Sequence, residues 1–254
     1  MRIVRSDLLW RCRGLTLVEL LVALALTAFL LLGLVQMAAG GGATARLQDN
    51  RGQIQDQARF AADRLAAAVR EAGFRPRPWD TAFDLAGITD ETADAASTRG
   101  DRLVLRAWSD RNCFDNRNPD VDGDGRPRFY LREQAFDLTG SRHLAWRCRY
   151  GPSAGELTAQ VRRQGLVPGV ESFQLLFGED ADGDGGIERW VRAGHWSDAA
   201  AVKAVRIGLL LAGEDSVAER TTRSFEVLDL AVSAPGDGRL RRVLELAAAL
   251  RNRS

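Results

Sequence analysis

The chain has 254 residues, 35 basic and 34 acidic side chains, and a formal net charge of +1. Arginines and acids are interspersed along it, so no long tract of one sign indicates an arm that binds nucleic acid. Roughly 200 residues remain beyond an apolar N-terminal stretch, which is enough for one domain with its own core.

The N-terminal segment combines a short basic leader, which ends in Gly14, with a long apolar run. No charged residue occurs between positions 20 and 39. At about 1.5 Å of rise per residue, these twenty residues span roughly 30 Å, the thickness of the hydrocarbon core of a bilayer. A single carboxylate, Glu19, stands near the start of the run, where its burial without a partner would be costly.

The position of Gly14 relative to the apolar run distinguishes between two kinds of N-terminal leader. A secretory signal peptide carries its cleavage site after the apolar region, whereas Gly14 stands before it, so that the apolar helix would be retained. The order of basic leader, Gly14, Thr16, Glu19 and apolar run resembles the prepilin leader of type IV pilins and of type II secretion pseudopilins. The alternative is a plain signal anchor whose Glu19 lies at the headgroup boundary.

The resemblance implies a processing reaction. In these families a dedicated peptidase cuts after the glycine, the new N-terminus is methylated, and a glutamate helps to set the register of the filament. Transferred to this chain, the cut follows Gly14, Leu15 becomes the N-terminus, and Glu19 is the register carboxylate. Leu15 replaces the phenylalanine that is usual at this position.

Beyond the apolar run, the sequence predicts a bend or soft joint at 40–42, where three glycines follow one another. The amphipathic pattern then predicts a helix over 43–73, ended by Gly73 and followed by two prolines. Its apolar stripe is Leu47, Ile54, Ala58, Ala61, Leu65, Ala68 and Ala72. The stretch 51–74 resembles the helix of PilW-type minor pilins, in which an Arg-Phe-Ala run leads to an Arg-x-Ala-Gly ending.

Alternating and β-branched runs after position 100 predict strands. These strands are 103–108, 128–132, 143–150, 170–177, 189–192, 202–211 and 225–232. The stretch 240–250 is alanine-rich and compatible with a helix, but the PilW family has a strand there, which closes on the Leu-Arg-Asn-Arg found at 250–253. The resemblance implies an α+β fold, with a long N-terminal helix packed on an antiparallel β-sheet.

Three cysteines are present, and Cys12 would be lost with the leader. In a domain outside the cytoplasm, the remaining pair, Cys113 and Cys148, is expected to form a disulfide. The alternative is two buried free thiols.

Two Asp/Gly loops carry acids at positions one, three and five and glycine at position six, the first half of a calcium-loop pattern. The second loop offers Asp180, Asp182 and Asp184, with Glu188 at position nine; the first offers Asp120, Asp122 and Asp124. Both lack the bidentate glutamate at position twelve, so any calcium binding would be weak. The alternative for both loops is a β-turn, because Asp-Gly is a strong hairpin signal.

The two histidines, His143 and His195, lie in no metal-binding spacing, and neither a nucleophile elbow nor a P-loop occurs. The sequence therefore predicts no enzyme. We expect a minor type IV pilin that acts in pilus assembly or priming, or at the pilus tip. The alternatives are a minor pseudopilin of type II secretion and a tip adhesin or DNA-uptake pilin.

The expected organisation is a leader (1–14), a transmembrane and filament-core helix (15–42) and a periplasmic globular domain (43–254). The expected partners are the prepilin peptidase, the membrane, other minor pilins and the major pilin, through the N-terminal helix. Neither a small-molecule substrate nor a nucleic acid is expected. The expected location is the inner membrane and then the pilus at the cell surface.

Overall fold

The computed structural model describes residues 16–95 and 100–252, with the side chains of 38–40 and 43 left out. The chain divides into two compact units, Met1–Leu47 and Gln48–Ser254. The predicted leader, with Gly14, Leu15 and Cys12, lies outside the described residues.

A single α-helix, α1, extends over Leu17–Glu71. The three glycines at 40–42 do not interrupt it, so the helix is continuous at the place where the sequence predicts a bend or soft joint. Glycine weakens a helix by about 1 kcal/mol relative to alanine but does not forbid it, and good helix formers stand on both sides. The predicted end is confirmed: Gly73 follows the helix with a φ of 76°, and its amide donates to the carbonyl of Arg106 at 2.8 Å.

Among the described residues, every β-strand pairs antiparallel and the strands form three sheets. The first sheet has the order β1-β2-β3-β4, the second β10-β7-β5-β6, and the third is the hairpin β8-β9. The strands are β1 (Leu103–Ser109), β2 (Tyr130–Leu138), β3 (Leu144–Gly151), β4 (Thr158–Val167), β5 (Val170–Glu179), β6 (Arg189–Val191), β7 (Val202–Ser216), β8 (Arg223–Val227), β9 (Leu230–Ala234) and β10 (Arg239–Ala249). The described parts of the connections contain three short 3-10 helices, Thr81–Phe83, Ala154–Glu156 and Ala199–Ala201.

The α+β class and the C-terminal strand are confirmed, but two details differ from the sequence prediction. Strand β4 was not predicted, because most of its residues are exposed and it has little apolar alternation. The single strand predicted over 225–232 is the hairpin β8-β9, which turns at Leu228 and Asp229. The alanine-rich segment near the C-terminus is the strand β10, as the family resemblance implied.

The second half of α1 supplies the centre of the core. Its buried apolar residues are Ile54, Ala58, Ala61, Leu65, Ala68 and Val69, and Ala72, which directly follows the helix, continues the stripe. They belong to one apolar cluster with residues from both four-stranded sheets, such as Phe136 and Phe173. Burial of apolar surface contributes about 25 cal/mol per Å² to stability. Burial of this stripe therefore holds the helix on the sheets.

Two polar links tie the core elements of this second unit together. From β2, Gln134 accepts a hydrogen bond from Arg64 of α1, and the Arg64 guanidinium lies 4.5 Å from the ring centre of Trp146. Between the two large sheets, the carboxylate of Asp101 accepts the amide of Leu175 at 2.8 Å, while the amide of Asp101 donates to the carbonyl of Phe173.

The end of the chain returns to the end of α1. Strand β10 pairs with β7, and beyond it the side-chain amide of Asn252 donates to the carbonyls of Arg70 and Glu71 at 2.9 and 3.2 Å. These bonds satisfy two of the carbonyls that the last helical turn leaves without an intrahelical donor.

Candidate functional site

In the first unit, the described residues form an apolar helix, the first part of α1. Over Leu17–Met37, 21 residues have a mean hydropathy of 2.6, and none of them is buried within the structure. Among the described residues this is the one helix long and apolar enough to cross a membrane. In water so much exposed apolar surface is unfavourable, which indicates that lipid or other protein covers the helix.

Glu19 lies in the first turn of this helix and forms a reciprocal pair with Thr16. Its carboxylate accepts the backbone amide and the hydroxyl of Thr16, both at 3.0 Å, and its own amide donates to the Thr16 hydroxyl at 3.3 Å. This is the capping-box arrangement, which satisfies two donors that the helix start would otherwise leave open. The carboxylate is therefore held at the helix start but remains exposed.

The second Asp/Gly loop connects β5 to β6 and gathers four carboxylates. The oxygens of Asp180, Asp182, Asp184 and Glu188 can all lie within 4.8 Å of one another, close enough to hold one metal ion. Asp180 is buried and the other three are exposed. Carboxylate oxygens are the ligands that calcium and magnesium prefer, so the donor set suits a hard cation.

Backbone amides shape this loop. Asp180 accepts the amides of Gly183 and Gly185 at 2.7 and 3.2 Å, and the Asp184 carboxylate accepts that of Gly186 at 2.7 Å. The Glu188 carboxylate accepts a hydrogen bond from the amide of Ala181 at 2.6 Å. The loop is thus folded around its own carboxylates.

Lys203, the only lysine of the chain, is the neighbour that sequence reasoning missed. Its ammonium lies 3.2 Å from the Asp180 carboxylate. Burial acts to raise the pKa of Asp180, but Lys203 and the two glycine amides outweigh it, so that the pKa lies below its ordinary value. A cation at this loop would therefore meet an ionised Asp180 that already has a positively charged partner.

The residue before the loop is also anchored. Glu179 is fully buried at the end of β5 and accepts the Ser197 amide at 2.6 Å and the Arg189 guanidinium at 2.8 Å. The hydroxyl and amide of Ser197, together with Arg189, lower the pKa of Glu179 to about 2. This carboxylate fixes the base of the loop and has no exposed oxygen to offer to a metal ion.

In the first loop the acids have other partners. Asp122 accepts the amides of Asp124 and Arg126 at 3.0 and 2.9 Å, and the hydroxyl of Tyr130 donates to Asp120. Within the described part of the chain, the group of carboxylates that can share a metal ion comes from the second loop alone. In the first loop, the geometry is that of a hydrogen-bonded turn.

Cys113 and Cys148 are joined by a disulfide bond, as the sequence predicts. Cys148 lies in β3 and is buried, while Cys113 lies in the connection between β1 and β2, where its amide donates to the side chain of Gln160 at 2.8 Å. The bond therefore fastens this long connection to the first sheet.

The two histidines lie far apart in the sequence, and each ring contacts its own turn. Nδ1 of His143 lies 3.0 Å from the carbonyl of Ser141, and Nδ1 of His195 lies 3.3 Å from the carbonyl of Ala193.

Comparison with known proteins gives matches at both ends of the chain. The family model of Type IV Pilus-assembly protein W, PilW, matches residues 126–252, half of the chain. The model of the prokaryotic N-terminal methylation motif matches residues 11–35. No curated protein matches the chain significantly. Among solved structures, the type IV-like pilin TTHA1219 from Thermus thermophilus is similar, with 18% identity and a TM-score of 0.49 over 82% of this chain and 98% of that one.

Proposed function

Because the chain belongs to the PilW family of type IV pilus-assembly proteins, we propose that it is a minor pilin that acts in pilus assembly or priming, or at the pilus tip. The observation that carries this proposal is the combination of the family match with a methylation motif placed directly on the apolar helix. The role is one of packing between subunits, in which apolar helices bundle and the globular domain remains outside the bundle.

The proposed route begins in the inner membrane, with the globular domain in the periplasm. The prepilin peptidase cuts after Gly14, and the amino group of Leu15 is methylated. Support comes from the motif match over 11–35, which includes both residues. The processed chain then leaves the bilayer and packs with other minor pilins and the major pilin.

Glu19 is proposed as the carboxylate that meets the free amino group of a neighbouring subunit. Its exposure at the first helical turn supports this, because the Thr16 bonds orient the carboxylate without enclosing it. In the apolar bundle an unpaired charge would be costly, so a carboxylate and an amine select the register in which they meet.

We also propose that the second Asp/Gly loop binds calcium weakly, with a dissociation constant of about 10⁻⁴–10⁻³ M, as extracellular modules do. The convergence of Asp180, Asp182, Asp184 and Glu188 supports the site. The pairing of Asp180 with Lys203 keeps it weak, because calcium must compete with the ammonium. Magnesium should bind less well, since it demands a tighter octahedral shell.

The proposed function is tested by deleting the gene and complementing it with the wild-type chain or with Glu19→Ala. Loss of all pili, restored only by the wild type, supports a role in assembly or priming. Pili that form normally but no longer attach or take up DNA would favour the tip adhesin or DNA-uptake alternative. Intact pili with a defect in protein secretion would identify a type II pseudopilin and overturn the proposal.

A further inference from the structure

The first sheet has a second face, opposite to α1, which carries a cavity of about 320 Å³. In β2, Gln134 points toward the helix, where it contacts Arg64, so Glu133 and Ala135 belong to the opposite face. The lining contains four arginines, two glutamates and three small apolar side chains. These residues are Arg102, Arg147, Arg149, Arg162, Glu91, Glu133, Ala135, Ala159 and Val161.

Two of the arginines are held in place by the glutamates. Glu133 is buried and stands in register between Arg106 and Arg149, whose Nε atoms donate to it at 2.8 and 2.6 Å. Glu91 then bridges Arg149 and Arg102, each at 2.9 Å. The guanidinium groups on this side of the cavity are therefore fixed before any ligand binds, which lowers the entropic cost of binding.

In the described part of the chain, the positive charges of the other two arginines, Arg147 and Arg162, have a weak partner or none. Nη2 of Arg147 lies 3.7 Å from the Asp137 carboxylate, and neither its Nε nor its Nη2 has a hydrogen-bond acceptor. Arg162 is exposed, and among the described residues no ion pair involves it, since the neighbouring Arg163 is the one that pairs with Asp137. Among the lining residues alone, four arginines against two glutamates leave an excess of two positive charges, and Asp137, which is shared by Arg147 and Arg163, lies outside the lining.

The remaining walls are apolar. Ala135, Ala159 and Val161 form them, and the aliphatic stems of the arginines add to them. We propose that this cavity binds an organic carboxylate, with its anionic groups on Arg147 and Arg162 and its carbon body against the apolar wall. The planar fork of a guanidinium matches a carboxylate through two parallel hydrogen bonds. A small phosphate ion would satisfy the charge but would leave the apolar wall exposed to water.

This ligand lies outside the partners expected from the sequence, and the proposal does not depend on a role in pilus assembly. The carboxylates can belong to a free dicarboxylate or to the acidic side chains of a peptide. The chemistry is the same for both, and the cavity volume is at the lower end of the range for ligand pockets.

The test is isothermal titration calorimetry of the full chain in a nonionic detergent. The probes are glutarate, a capped Glu-Ala-Glu peptide and inorganic phosphate, each at matched ionic strength. We expect glutarate or the peptide to bind more tightly than phosphate, and their ranking identifies the source of the carboxylate. Arg162→Gln and Arg147→Gln should each weaken binding about tenfold to a hundredfold, as expected for the loss of a charge-assisted hydrogen bond.

Arg223→Gln is the matched control, because Arg223 is exposed in β8 and does not line the cavity. It removes the same charge and should leave binding unchanged. Arg162 is on the surface, so its variant should fold, and a thermal melt checks this for every variant. Absence of heat for both carboxylate probes, equal binding of all three probes, or equal weakening by the control would overturn the proposal.

Discussion

Gly14 and Leu15 are the residues at which the proposed maturation takes place. Replacement of Gly14 by valine should block cleavage, because the peptidase site that the family resemblance implies accepts a glycine. N-terminal sequencing should find Leu15 first in the wild type and Met1 in the variant. Leu15→Phe, which introduces the residue usual in the family, should still be cleaved. A mature wild-type chain that begins at Met1, or beyond the apolar run, would contradict the pilin interpretation.

Glu19 offers a test that separates charge from helix capping. Glu19→Ala loses both, whereas Glu19→Gln keeps a side chain that can complete the box with Thr16. We expect both variants to be processed and both to assemble poorly, because breaking a buried charge pair costs about 3–5 kcal/mol. Immunoblots of sheared pili measure assembly. Normal assembly of the glutamine variant would show that the cap, and not the charge, is what matters.

Asp101 predicts a dependence of stability on pH. Burial raises the pKa of Asp101 to about 6, although the amides of Ala95 and Leu175 oppose this effect. In the unfolded chain the carboxyl titrates near roughly 4. The folded state therefore binds the proton more tightly, and the contribution of Asp101 to the free energy of unfolding falls as the pH rises from roughly 4 through about 6.

Asp101→Asn removes this titration. We expect the melting temperature of the variant, relative to that of the wild type, to increase between roughly pH 4 and pH 7. Thermal melts across this range measure it, with Asp90→Asn, at an exposed loop position, as the control. Parallel curves for the wild type and Asp101→Asn would show that Asp101 does not titrate in this window.

Among the elements, the loop between β5 and β6 is the one expected to respond to calcium. Calcium at a few times its dissociation constant should raise the melting temperature of the full chain in detergent, since a ligand that binds only the folded state stabilises it. Asp182→Ala should abolish the rise, and Asp215→Ala, at an exposed acid of β7, should not. Identical melts with EDTA and with about 10 mM calcium, well above the expected dissociation constant, would reduce the loop to an acidic turn.

The lysine beside the loop sharpens this test. Lys203→Gln removes the ammonium that lies 3.2 Å from Asp180. Calcium should then bind more tightly, because the cation no longer displaces a positive charge. Weaker binding in this variant would mean that Lys203 supports the loop and does not compete with calcium.

The disulfide between Cys113 and Cys148 is expected to have a measurable effect on stability. It closes a loop with a sequence separation of 35, for which the chain-entropy model gives a stabilisation of roughly 3–4 kcal/mol. Replacement of both cysteines by alanine should therefore lower the melting temperature by roughly 10 °C. Peptide maps with and without reductant identify the bond, and free thiols in protein taken from the periplasm would refute it.

The elements also show where sequence reasoning works. The stripe of α1 and its end at Gly73 follow from local signals, namely apolar spacing, a glycine and two prolines. The β8-β9 hairpin was missed because Leu228 takes a positive φ of 57°, where glycine or asparagine would have marked the turn. The edge strand β4 was missed because its exposed residues carry no apolar alternation.

At the scale of the whole molecule, the candidate sites differ in how far apart their residues lie in the sequence. The acidic loop could be predicted because its four carboxylates fall within nine consecutive positions. Lys203, in contrast, meets Asp180 only through the pairing of β5 with β7. The arginine cavity likewise depends on the register of three strands, β1, β2 and β3, which places Glu133 between Arg106 and Arg149. Such registers depend on which face of each strand is buried and on the geometry of the turns, so they are known only once the strands are paired.

The bonds from Asn252 to the last carbonyls of α1 have a consequence for the time at which the domain can form. Synthesis delivers α1 first, yet the residue that completes its final turn follows 182 positions after Arg70. Strand β10, which covers an edge of β7, arrives equally late. The domain therefore closes only after the last strand has been made, and the alanine-rich face of α1 stays uncovered until then. Contacts between residues so far apart in the sequence form slowly. The incompletely folded domain is therefore accessible to proteases or chaperones until the last strand has been made.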